Sequence, residues 1–117
     1  MVATTTPEER RREHLQSELD RFIRIVAARL QPERIVVFGS FATGQVREWS
    51  DLDIVVVADT ELPFYARLDQ VFRLVEPQVG LDVLVYTPEE WAELIATRRF
   101  IQEEVLQKGH VLYERPG

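Results

Sequence analysis

The chain has 117 residues, 45% of them hydrophobic and 29% charged, with no cysteine. One hydrophobic core fits in that length, so a single domain spanning 1–117 is expected, and the composition argues against wholesale disorder. Disulfides, thiolate chemistry and cysteine-ligated zinc are excluded, and a net charge of −6 from 14 basic and 20 acidic side chains works against binding nucleic acid by neutralising phosphates.

No run of about 18 apolar residues is present, so no membrane span is expected. The first residues, MVATTTPEERRREH, lack an apolar stretch of the kind a secretory signal needs. A cytoplasmic location is therefore expected. Arginine outnumbers lysine 13 to 1, which reads as a coding bias.

Thr4 to Thr6 form a lead into a helix beginning at Pro7, with acids Glu8 and Glu9 in its first turn. Leu15, Leu19, Phe22, Ile23, Val26 and Leu30 recur at helical spacing as far as Gln31-Pro32. Arg34 to Phe38 is a short β-branched run, read as a buried strand. Gly39 to Gly44 breaks it, with a short helix possible from Ser40, and Val46 to Ser50 is a loop. Leu52 to Ala58 is a second buried strand. Phe64, Leu68, Val71, Phe72 and Val75 make the stripe of another helix, which Pro77 to Gly80 ends. Leu81 to Tyr86 is a third strand. Pro88 opens a further helix with Trp91, Leu94 and Ile95 on its apolar face. Arg98 to Lys108 is expected to continue it after a bend, and Val111 to Tyr113 to add a short edge strand. The fold class is α/β (α+β), a small mixed sheet of three to four strands flanked by helices.

Asp51 and Asp53 are two apart at the start of the second strand. Alternation along a strand puts both carboxylates on one face, their Cα atoms about 6–7 Å apart. Like charges so close raise each other's pKa unless a cation joins them, and oxygen-only ligands suit Mg²⁺. Taken alone, the pair reads more readily as a solvated strand start than as a site. Asp82 is the second residue of an otherwise apolar strand, where an unpaired acid is costly to bury. If that strand neighbours the second, Asp82 joins the pair as a metal ligand or as an acceptor for a hydroxyl proton. Gly39 and Ser40 follow the first strand directly. A glycine there lets backbone approach a ligand closely, and the following amides and the Ser40 hydroxyl can meet phosphate oxygens. The terminal Gly-Lys-Ser/Thr of the P-loop is missing, so that NTPase class is not supported.

The joint pattern is a strand, GSFATG, the spacer QVREW, SDLDIVVV and then LDVLV some 30 residues on. It closely resembles the signature of the DNA polymerase β-like nucleotidyltransferase superfamily, over residues 34–86. The short length, and the tail KGHVLYE, are similar to its minimal nucleotidyltransferase branch. The resemblance implies the polymerase β-like nucleotidyltransferase fold and an Mg-dependent transfer from ATP. In it, Asp51, Asp53 and Asp82 would be catalytic and would ligate Mg²⁺, two ions being implied. Gly39, Ser40 and Thr43 would bind the nucleotide. It further implies a HEPN-type toxin partner, antitoxin action by adding AMP to a tyrosine, and a homo- or hetero-oligomer. Thr43 departs from the branch, which commonly carries arginine there, so a binding-only antitoxin without turnover is the alternative. Arg47 could replace that charge or be a solvated loop cation. Trp49 is expected to anchor its loop by packing, with base stacking as the other option. Ser50 is expected to orient the Asp51 loop. The run Arg10 to Arg12 is read as a solvated helix face, and His14 and His110 are given no catalytic role.

Overall fold

A computed structural model describes residues 4–116. Residues 1–3, part of the stretch read for a secretory signal, lie outside them, as does residue 117.

Helix α1 (Pro7–Leu30) begins where expected. The Thr6 hydroxyl accepts the Glu9 N–H at 3.1 Å, Pro7 needs no partner at the first position, and Glu8 and Glu9 face the helix N-terminus. Leu15, Leu19, Phe22 and Val26 are buried along one stripe. The helix stops at Gln31, whose φ of 47° is left-handed, just before Pro32. Strand β1 (Arg34–Phe38), helix α2 (Gly39–Thr43), strand β2 (Leu52–Val57), helix α3 (Phe64–Val75), strand β3 (Leu81–Tyr86) and helix α4 (Pro88–Thr97) follow. Thr87 and Glu90 cap α4 reciprocally, each side chain meeting the other residue's backbone N–H. Strand β4 (His110–Glu114) closes the chain order.

The sheet has four strands in the order β3-β2-β1-β4. β2 and β3 are parallel, joined by the α3 crossover, while β1 is antiparallel to both β2 and β4. β1 and β2 are central and covered on both faces, which is why their sequences are nearly unbroken apolar runs. On one face, α1 and α3 pack over Ile35, Val37, Ile54, Val56 and Val83. On the other, Trp91 of α4 and Ile101 and Val105 cover Val36, Phe38, Val55 and Val57.

Three expectations are corrected. Residues 98–108 do not continue as an α-helix: Ile101–Gln107 is a π-helix, in which each turn closes over five residues instead of four. The edge strand is longer than three residues and pairs with β1 through an irregularity between Ile35 and Val36. β2 ends one residue early, although the Ala58 N–H still bonds the Tyr86 carbonyl at 2.9 Å. Among the described residues no helix is long and apolar enough to cross a membrane.

Two buried polar ties lock the helices to the sheet. Glu18, 8% exposed, accepts from Arg21 at 3.0 Å and from the Gln78 N–H at 2.9 Å, joining α1 to the α3–β3 turn. The Arg21 hydrogen bond, opposed by burial, holds its carboxyl below the usual range. Arg67, 7% exposed, donates to the Leu62 and Val85 carbonyls and to Glu90 at 2.6 Å, joining α3, β3 and α4.

Candidate functional site

Asp53 and Asp82 are the second residues of β2 and β3 and are direct partners in the parallel register. Neighbouring strands run about 4.8 Å apart, so the two carboxylates meet side by side on one face. They share the face of Val55 and Val57, at the end of the sheet where β1 finishes and β2 and β3 begin. Asp53 is half-buried and Asp82 exposed. Burial, then the charge and hydrogen bonding of Asp82, then the charge of Asp51, push the Asp53 carboxyl up to about 6.

Gly39 makes room for this pair. Its φ of 76° is left-handed, and a Cβ there would lie 3.0 Å from the Asp53 Cγ and overlap a carboxylate oxygen. The glycine is thus required by the turn and by the acid beneath it.

Asp51 is arranged differently. It is exposed, with Arg11 of α1 at 3.5 Å, and Arg11 also donates to the Ser50 carbonyl at 2.8 Å. Gly80, opposite it, is a second position cleared for a carboxylate: an added Cβ would stand 2.7 Å from Asp51 Oδ2 and overlap Oδ1. Ser50 is buried and its hydroxyl accepts the Arg47 N–H at 2.8 Å, which orients this loop as expected. The structure therefore brings Asp53 and Asp82 together and sets Asp51 beside them, tied to α1. Among the described residues no three His, Asp or Glu side chains are grouped closely enough to hold one ion.

Beyond Gly39, a cleft of about 370 Å³ is lined by Gly39, Ser40, Thr43, Gln45, Glu104 and Lys108. Thr43 lines it, but its hydroxyl points back to the Gly39 and Ser40 carbonyls at 3.3 and 3.4 Å. Arg47 is exposed and outside that lining.

Three sequence readings change here. Trp49 is 76% exposed, so it is not a packed anchor: its turn projects it into solvent. The arginine run is more than a solvated face. Arg10 donates to the Thr5 carbonyl at 2.7 Å, Arg11 holds the Asp51 loop, and Arg12 lies over the Phe41 ring at 5.1 Å. Gly80, read only as a helix stop, is also what lets Asp51 fit. Arg11, Gly80 and Lys108 were named only within longer stretches and Glu104 not at all, because what each of them touches depends on contacts made by the fold. Only a glycine just before LDVLVY, two residues from an acid, offered a signal for Gly80.

Paired acids at the start of two adjacent strands thus lie beside a glycine turn and a short helix. The chain belongs to the nucleotidyltransferase domain family, which matches residues 19–113. It is similar to the crystal structure of a candidate nucleotidyltransferase from Sulfolobus solfataricus, with 19% identity and a TM-score of 0.69 over 98% of this chain and 94% of that one. It is also similar to a chain of a toxin–antitoxin complex solved with AMP-PNP, with 20% identity and a TM-score of 0.52 over 81% of this chain and 72% of that one. Both likenesses are of fold. No curated protein matches the chain.

Proposed function

We propose that the chain is an Mg-dependent nucleotidyltransferase that moves AMP from ATP to a tyrosine hydroxyl of a HEPN-type toxin, and so acts as an antitoxin. The observation that carries this reading is the in-register Asp53–Asp82 pair seated against Gly39. The similarity to a chain of a toxin–antitoxin complex bound to an ATP analogue supports the class of partner and nucleotide.

The donor set suits the metal. Asp51, Asp53 and Asp82 offer only carboxylate oxygens, which hard dications prefer. The repulsion that raises Asp53 is what a dication between it and Asp82 would relieve. Asp53 and Asp82 would hold the metal, with Asp51 the third candidate ligand. When bound, Mg²⁺ would neutralise triphosphate charge and act as a Lewis acid at phosphoryl oxygens.

The chain's own groups supply the rest. Gly39 and Ser40 present backbone amides and a hydroxyl to the β- and γ-phosphates. The acceptor hydroxyl oxygen attacks the α-phosphorus, the bond to the bridging oxygen of the β-phosphate breaks, and pyrophosphate leaves. Asp82, the more exposed acid of the pair, accepts the hydroxyl proton.

A second reading, neutralisation by binding alone, is favoured by two observations. Asp51 is engaged by Arg11, and the Thr43 hydroxyl is spent on its own helix. The two readings part in one experiment. The protein is incubated with α-labelled ATP, Mg²⁺ and the HEPN-type protein encoded beside it. Label on the partner that disappears with Asp53→Asn supports transfer. Neutralisation of the partner with no label transferred by the wild type would sink it.

A further inference from the structure

Resting on that nucleotide reading, we infer that Lys108 is a phosphate-binding residue that meets the terminal phosphates across the cleft from Gly39 and Ser40. Of the six residues lining the cleft, Lys108 is the sole cation. Lysine is a flexible point charge with three donors, which suits a phosphate of variable orientation.

The backbone around Lys108 is shaped to put it there. Its N–H bonds the Glu103 carbonyl at 3.2 Å, the five-residue closure of the π-helix. An α-helical closure at this point would rotate the side chain to another direction. Gly109 then presses against the end of β1: an added Cβ would stand 2.8 Å from the Val37 carbonyl and overlap that of Val105. β1 is the strand that delivers Gly39. On the other side, His110 Nε2 meets the Ala42 carbonyl of α2 at 3.0 Å. The residue is therefore flanked by one contact to β1, which leads into Gly39, and one to α2, which supplies Gly39, Ser40 and Thr43 of the opposite wall.

Lys108 is free to change partners. Its present one is Glu104, at 3.0 Å and four residues back, in an exposed pair. Such pairs are weak, so phosphate can displace the carboxylate at little cost. Glu104 is thus the anion with which a phosphate competes for Lys108.

The test is nucleotide affinity, measured by titration calorimetry on the full chain with ATP or AMP in the presence of Mg²⁺. Lys108→Ala should weaken ATP binding about tenfold, the loss expected for one charge-assisted contact, and leave AMP unchanged. Lys108→Arg should restore most of the ATP affinity. Glu104→Gln should tighten ATP binding about twofold by removing a competing charge. Lys108 is exposed, so an unchanged circular dichroism spectrum is expected for each variant. ATP binding by Lys108→Ala equal to wild type, or equal losses for ATP and AMP, would overturn the role of Lys108 and leave the nucleotide reading standing. No ATP binding by the wild type would overturn both.

Discussion

Asp53 concentrates the electrostatic tension of the site. Its carboxyl is pushed up to about 6 from an ordinary 3.8, first by burial and then by Asp82. A carboxyl raised in the folded state favours folding most at low pH. That contribution is present below pH 4 and is lost as pH climbs through about 6. Discounted for the partial exposure of the site, the loss amounts to about 1 kcal/mol. Glu18 and Glu90 act in the opposite sense. Arginine partners lower both, so their contribution is lost as pH falls. The difference between wild type and Asp53→Asn isolates Asp53. In metal-free thermal melts the variant should gain stability over wild type between pH 4.5 and 7.5, and a constant difference would contradict this. If Asp53 ligates Mg²⁺ as proposed, affinity for the ion should fall as pH drops through about 6, because the ligand must be ionised.

Beside the apolar packing on both sheet faces, single buried side chains tie elements together. Arg67 reaches a loop carbonyl, a β3 carbonyl and the capping glutamate of α4. Arg67→Met should cost about 2–4 kcal/mol, because two carbonyls lose donors and Glu90 loses its partner. The urea midpoint would show it, and adding Glu90→Gln should recover part of the loss. Neither tie was legible beforehand, since a long polar side chain in an amphipathic helix looks solvated until its partners are placed. The caps of α1 and α4 were legible, because Thr-Pro with acids in the first turn is local chemistry. The π-helix was not. No residue pattern in this stretch distinguishes a five-residue closure from a four-residue one.

At the scale of the whole molecule, the apolar runs of β1, β2 and β3 foretold a covered sheet, and the acids at 53 and 82 fall opposite each other in it. That β2 and β3 are neighbours was only a condition of the reading, because strand order depends on pairings distant in sequence. The position of Asp51 depended on α1 folding back over forty residues to bring Arg11 to it. If the site binds nucleotide, occupancy should stabilise the whole fold. Mg–ATP at ten times its Kd adds about 1.4 kcal/mol, which raises Tm by about 5 °C for a domain of this size. Asp53→Asn should show little of that shift, and an equal shift in both proteins would separate binding from the acid pair.

The pairing of Asp53 with Asp82 bears on how the chain finds its fold. A slip of one residue between parallel strands turns every side chain to the opposite face. Slipped by one, β3 would send Asp82 toward the apolar layer under α1 and α3 and expose Val83 and Val85. An unpaired carboxylate there is strongly penalised. Asp82 therefore doubles as a proofreading device during folding, rejecting the nearest wrong alignment of an edge strand that is otherwise almost uniformly apolar.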